Sequence, residues 1–335
     1  MDQTLQNANS VYYRLIALWV LCEAMLGGII HGFKLPISGL FVGGGAILCI
    51  AMIAYYVPAR GSIVKATIIV AVFKMMLSPQ SPPPAYIAVF FQGLLGELLF
   101  IHKKMFRLSC LLLAVLAMIE SAVQRILVLT ILYGNSFWKA VNEFLSKLTG
   151  EKTVTNYSLY FATGYIIIHV IAGFWVGWFA GVLPKRINQW KQDTTIITAL
   201  DNDVALPALQ SRKKKKWKVG LLLVWVLLIG LYIQSAIPIG KPLLPPNVPL
   251  QVFIRSMLIV LGWYLFLRPV VSRLLQHWLK KKQRDEQATI QQVATVLPSV
   301  KHVVQQSWLA ASPAKGVKRF VLFCKTVTVN IIHAA

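Results

Sequence analysis

Eight apolar stretches, each about long enough to cross a bilayer, fill most of this chain, and only three carboxylates fall inside them: Glu23, Glu97 and Glu120. A spanning helix needs about 20 mostly apolar residues, with a range of roughly 17–25. The candidates are residues 14–30, 37–57, 62–77, 85–101, 108–133, 159–183, 219–236 and 250–267. The expected fold is all-α. It is a polytopic membrane protein with about eight transmembrane helices, six in a bundle plus two, followed by amphipathic cytoplasmic helices at the C-terminus. A charged side chain at the centre of such a helix costs roughly 2.5–3.5 kcal/mol on insertion scales. Each of the three carboxylates must therefore face the protein interior, an aqueous cavity or the interface.

At 57% hydrophobic residues the 335-residue chain is too apolar for a soluble domain, and its net charge is +23. That charge does not point to nucleic acid, because the basic residues form no groove-binding motif. They sit between and after the apolar spans, where the positive-inside rule places them on the cytoplasmic side. One register fits this distribution. Both termini lie inside, as do the loops after the second, fourth, sixth and eighth spans. The N-terminal segment has no small-residue cleavage site, so the first span reads as retained rather than as a signal peptide. Cys22, Cys49, Cys110 and Cys324 are scattered and form neither a disulfide framework nor a CxxC metal site.

The spans group into a six-helix membrane domain over 1–184, a basic cytoplasmic linker over 185–216, a two-helix membrane unit over 217–267 and a basic tail over 268–335. The linker runs into RKKKKWK over 212–218, a stretch suited to lipid headgroups. The tail repeats apolar residues at three- and four-residue steps through Val293, Leu297, Val300, Val304 and Trp308. That stripe suits a groove-docking or surface-lying helix, so a partner protein or the membrane surface is expected on it. Between the fifth and sixth spans, Val141, Phe144 and Leu145 recur at helical spacing and suggest an external interfacial helix. The sixth span carries Gly173, Gly177 and Gly181 four residues apart. Small residues at that spacing let helix backbones approach closely, either within the chain or against a separate subunit.

The candidate solute-binding residues are the polar side chains inside the spans: Glu23, His31, Lys74, Gln92, Glu120, Arg125 and His169. Opposite charges fall at compatible depths, with Glu23 and Glu120 set against Lys74 and Arg125. Structural ion pairing and an outward-facing pocket for a small solute both fit this pattern. HExxH, GxSxG, paired-aspartate and Walker patterns are missing. The sequence thus points to neither an enzyme nor a cofactor or metal.

Several phrases carry a family resemblance: RLIALWVLCEAMLGGI in the first span, LPISGLFVGGGAI leading into the second, ARGSIVKATIIV into the third and AYIAVFFQGLLGELLF in the fourth. Together with six spans in about 180 residues and a Pro-rich loop after a short third span, residues 13–184 resemble the substrate-binding S component of energy-coupling-factor transporters. The part after residue 217 is similar to a shortened T component, with Ala314-Lys315-Gly316 in the tail. The resemblance implies uptake of a small vitamin-like solute through a bacterial cytoplasmic membrane, energised by separate ATPase subunits. A non-transporting membrane scaffold whose basic tail docks partner proteins is the alternative.

The topology has a direct check. Reporter fusions after Lys104, Lys216 and Ala335 are expected to read inside and one after Pro245 outside. An external C-terminus overturns this arrangement.

Overall fold

The structure is a computed structural model and describes residues 2–26, 38–78, 81, 83–101, 105–149, 156–193, 222–223, 225–226, 229 and 248–333. Helices dominate these residues, and no strand occurs among them. They are α1 (Asp2–Leu21), continued by a π-turn at Cys22–Leu26, then α2 (Ser38–Tyr56), α3 (Ser62–Leu77), α4 (Pro83–Leu99), α5 (Phe106–Thr149) and α6 (Tyr157–Trp190). The C-terminal part holds α7 (Val248–Gly262), a second π-turn (Trp263–Leu267), α8 (Arg268–Asp285), α9 (Gln287–Ala310) and α10 (Gly316–His333).

Among the described residues, four segments are long and apolar enough to cross a bilayer: Gly39–Tyr56, Phe106–Asn135, Tyr157–Trp190 and Phe253–Asp285. Of the eight expected spans, the second, fifth, sixth and eighth are therefore matched. The third and fourth form helices of 16 and 17 residues. At 1.5 Å per residue these reach roughly 24–26 Å, short of a hydrocarbon core about 30 Å thick. The first begins in α1, whose opening turns are polar. The seventh, the linker with RKKKKWK and the connection over 237–247 lie mostly or wholly outside the described residues.

The chain forms two units. The first comprises Met1–Ser121, His169–Leu209 and His277–Ala335, the second Ala122–Ile168 and Gln210–Gln276. The breaks suggested by the sequence at 184, 216 and 267 thus do not coincide with the structural division. The C-terminal helices belong to the first unit because their apolar stripe meets α1.

In the first unit α1 is the central element. It packs against α2, α3, α9 and α10. Leu15, Ile16, Ala17 and Trp19 are fully buried, as befits a helix apolar on every side. α9 lies along α1, and α10 folds back on both. Val293, Leu297 and Val300 are buried in this arrangement, Val304 is half-buried and Trp308 is exposed. The arrangement is pinned by Lys65 Nζ on Glu286 Oε2 at 2.9 Å and by Arg14, whose Nη2 donates to the Ile332 carbonyl at 3.5 Å.

The glycine stripe of α6 meets α5 backbone to backbone. A Cβ on Gly173 would stand 2.9 Å from Val115 Cα, one on Gly177 2.7 Å from Leu111 Cα, and one on Gly181 3.3 Å from Arg107 Cα. The partners step back by four as the glycines step forward by four, so the two helices run antiparallel in register. Lipid offers no hydrophobic drive for helix association, and close backbone packing supplies much of the attraction. Leu112, Leu116, Phe174 and Trp175 remain exposed on the same helices, a surface suited to acyl chains.

Within the second unit the helical run of α5 breaks at Gly134, at φ 69° and ψ −175°. That backbone region is open to glycine at little steric cost, and the Arg255 guanidinium stands where a side chain would go. Beyond the break, Trp138 Nε1 donates to Thr130 Oγ1 at 3.1 Å, and Asn142 Oδ1 accepts from the Ser158 amide at 2.7 Å. The segment expected as a separate interfacial helix is thus the last third of α5, turned at one glycine.

The glycine contact generates a prediction. Gly177→Val pushes a branched side chain into the Leu111 backbone and is expected to cost about 1–3 kcal/mol. Gly164→Ala, facing open space, should leave stability nearly unchanged. Thermal unfolding of the two variants in one detergent checks the difference.

Candidate functional site

α1 does not run as a regular helix through its acidic position. At Cys22–Leu26 it widens into a π-turn, a local irregularity frequent at functional sites. Glu23 lies in that turn with its side chain 4% exposed. Lys74, in the last turn of α3 and 6% exposed, donates from Nζ to Glu23 Oε2 at 2.6 Å. The same ammonium reaches the Ala85 carbonyl at 3.3 Å and lies 5.9 Å from the centre of the Tyr86 ring. Ser78 Oγ donates to the Ala24 carbonyl at 3.4 Å, tying the end of α3 to the π-turn. A charge-assisted contact this short, with further acceptors on the ammonium, is what two buried ions require to offset their loss of water.

α2 closes on this centre through its small residues. A Cβ on Gly45 would stand 3.0 Å from Cys22 Sγ, and one on Gly43 3.5 Å from Gln92 Nε2. Gln92 is 4% exposed, and its Oε1 is buried without a hydrogen-bond partner among the described residues. Trp19 Nε1, one turn before Glu23, is likewise buried with no hydrogen-bond partner among the described residues. An unmet acceptor and an unmet donor in the interior each cost about 1–3 kcal/mol, so a molecule that satisfied them would gain that energy on binding.

The remaining sequence candidates fall elsewhere. Glu120 is half-buried, and one of its carboxylate oxygens has no hydrogen-bond partner among the described residues; Arg125 is exposed and belongs to the second unit. Five positions apart on one helix, these two point about 140° apart around its axis. His169 is fully buried on α6, four residues before Gly173. His31 lies outside the described residues. Of the opposite charges matched by depth, the structure joins Glu23 to Lys74. Among the described residues, no group of three or more His, Cys, Asp or Glu side chains is arranged to hold a metal ion.

Glu97 has a role that sequence reasoning passed over. Its carboxylate accepts from the amides of Gly61 at 2.6 Å, Ile63 at 3.2 Å and Val64 at 3.4 Å. It therefore caps the N-terminus of α3 from the end of α4, satisfying orphan amides and meeting the positive end of the helix dipole. Gly61, at φ 81°, supplies the turn that aims those amides outward. The signal available in the sequence was the absence of a Ser, Thr, Asp or Asn cap just before Ser62, which leaves the position open to a distant acceptor.

No family model matches the chain, and neither does any curated protein or solved structure. The functional reading therefore rests on the geometry above and on the resemblance of the sequence phrases.

The buried pair makes a sharp energetic prediction. Lys74→Met strands the Glu23 carboxylate and is expected to cost about 3–5 kcal/mol. The double variant Glu23→Leu, Lys74→Met removes both charges and should recover most of that loss. Unfolding midpoints of the two variants in detergent measure it, and equal loss in both argues that the ion pair is not the origin.

Proposed function

We propose that this chain is the solute-binding subunit of a membrane transporter, taking up a small vitamin-like molecule with energy from separate ATPase subunits. The observation that carries the reading is the buried Glu23–Lys74 pair beside a π-turn, with Gln92 Oε1 and Trp19 Nε1 in the same unit lacking hydrogen-bond partners among the described residues. Ionisable groups inside a spanning bundle are expensive and mark binding sites or conduction paths more often than passive packing. The resemblance of residues 13–184 to S components gives the solute class and the need for an external motor. The four segments among the described residues that are long and apolar enough to span a bilayer support the membrane location.

In this reading Lys74 recognises an acidic group of the solute and Glu23 an amino or hydroxyl donor. The pair exchanges partners on binding, so neither ion is ever left bare. Gln92 and Trp19 add a donor–acceptor set that fixes orientation. The alternative, a scaffold docking partners through the stripe at Val293, Leu297 and Val300, has less support, because those side chains are already buried within the first unit.

The test is native mass spectrometry of the purified chain for a co-purifying small molecule, with side-by-side variants. Gln92→Leu is expected to lower retention tenfold or more, the loss of about one hydrogen bond to a charged or polar group. Glu143→Gln, at an exposed position, should leave it unchanged. A chain that carries no small molecule, with both variants behaving alike, overturns the proposal.

A further inference from the structure

α10 changes character halfway along its length. Residues 326–332 are buried, whereas Val317 is 79% and Phe320 55% exposed. Lys315 and Lys318 are exposed beside them. Arg319 stacks its guanidinium on the Trp308 ring at 4.2 Å, and Trp308 meets Phe323 edge-on at 5.3 Å. The tip of the α9–α10 hairpin is therefore apolar, aromatic and cationic at once. No carboxylate occurs in the sequence after Glu286, so nothing on this segment offsets its charge.

α10 meets α1 at its C-terminal end, where Arg14 Nη2 donates to the Ile332 carbonyl at 3.5 Å. Its exposed half lies at the other end of the helix, away from that contact. Exposed Val and Phe do not suit water. Lysine is depleted at protein–protein interface cores, which disfavours a protein occupant. Aromatic rings beside Lys and Arg are what the headgroup layer of a bilayer selects. The stacked, weakly hydrated guanidinium retains edge donors for phosphate oxygens.

We infer that the tip of the α9–α10 hairpin is a binding surface for acidic phospholipid, with Val317 and Phe320 among the acyl chains and Lys315, Lys318 and Arg319 on the phosphates. The inference rests on the reading that the apolar helices span a bilayer, and the experiment separates the two. A photoreactive benzoylphenylalanine is placed at Val317 in the full chain, and in a second preparation at Leu112, an exposed apolar position on α5. Both are reconstituted in vesicles of equal parts phosphatidylcholine and phosphatidylglycerol, irradiated and analysed for lipid adducts. At Val317, phosphatidylglycerol adducts are expected to exceed phosphatidylcholine adducts by about fivefold or more, the factor a single basic residue gives at an anionic surface. Adding K315Q, K318Q and R319Q should return the ratio to that of the vesicle, with the Leu112 adduct yield of the same chain reporting that it is folded and inserted. Adducts at Leu112 but none at Val317, or Val317 adducts in the bulk ratio, overturn the inference and leave the membrane reading standing. Adducts at neither position overturn both.

Discussion

The first unit is organised by one ion pair that is almost wholly buried. Glu23 and Lys74 hold each other at 2.6 Å, and every neighbouring element is placed to make that arrangement tolerable. α1 widens into a π-turn at the carboxylate, and α3 ends one turn after the ammonium. α4 contributes a carbonyl and an aromatic ring, and α2 presents glycines where larger residues would keep the helices apart. Moving either ion by a helical turn leaves two desolvated charges with nothing to meet them. The pair therefore specifies the register of α1 against α3 more than it adds stability.

α1 is enclosed by the chain itself. α2 and α3 cover it from the sequence that follows directly, and α9 and α10 cover it from the far end of the chain. Local order and long-range closure thus meet on a single helix, and α1 contributes its burial to both.

Much of this was legible in one dimension. Apolar stretches about 20 residues long predict helices because backbone groups in lipid must bond within their own segment. The glycines at 173, 177 and 181 predict a close contact because only backbone lies on that face. What the sequence could not supply was azimuth. Depth alone made Glu23 and Glu120 equal candidates for Lys74 and Arg125, and the direction each side chain takes around its helix joins Glu23 to Lys74. The stripe at Val293, Leu297 and Val300 likewise announced that something covers it, but periodicity does not say what. The cover is α1, more than 250 positions away in the sequence. Glu97 was hidden for the same reason: the amides it caps are 33 to 36 residues distant, and no local pattern links them.

The separation between Glu23 and Lys74 also sets a clock on synthesis. The two residues are 51 positions apart. At bacterial and eukaryotic elongation rates of about 5–20 residues per second, Lys74 is made roughly 3–10 s after Glu23. For that interval the helix that carries Glu23 holds a carboxylate whose partner has not yet been made. The cover supplied by α10 comes far later, since Arg14 and Ile332 are 318 positions apart, or roughly 15–60 s of elongation. The nascent chain thus holds an incompletely clad first helix for almost its whole time on the ribosome.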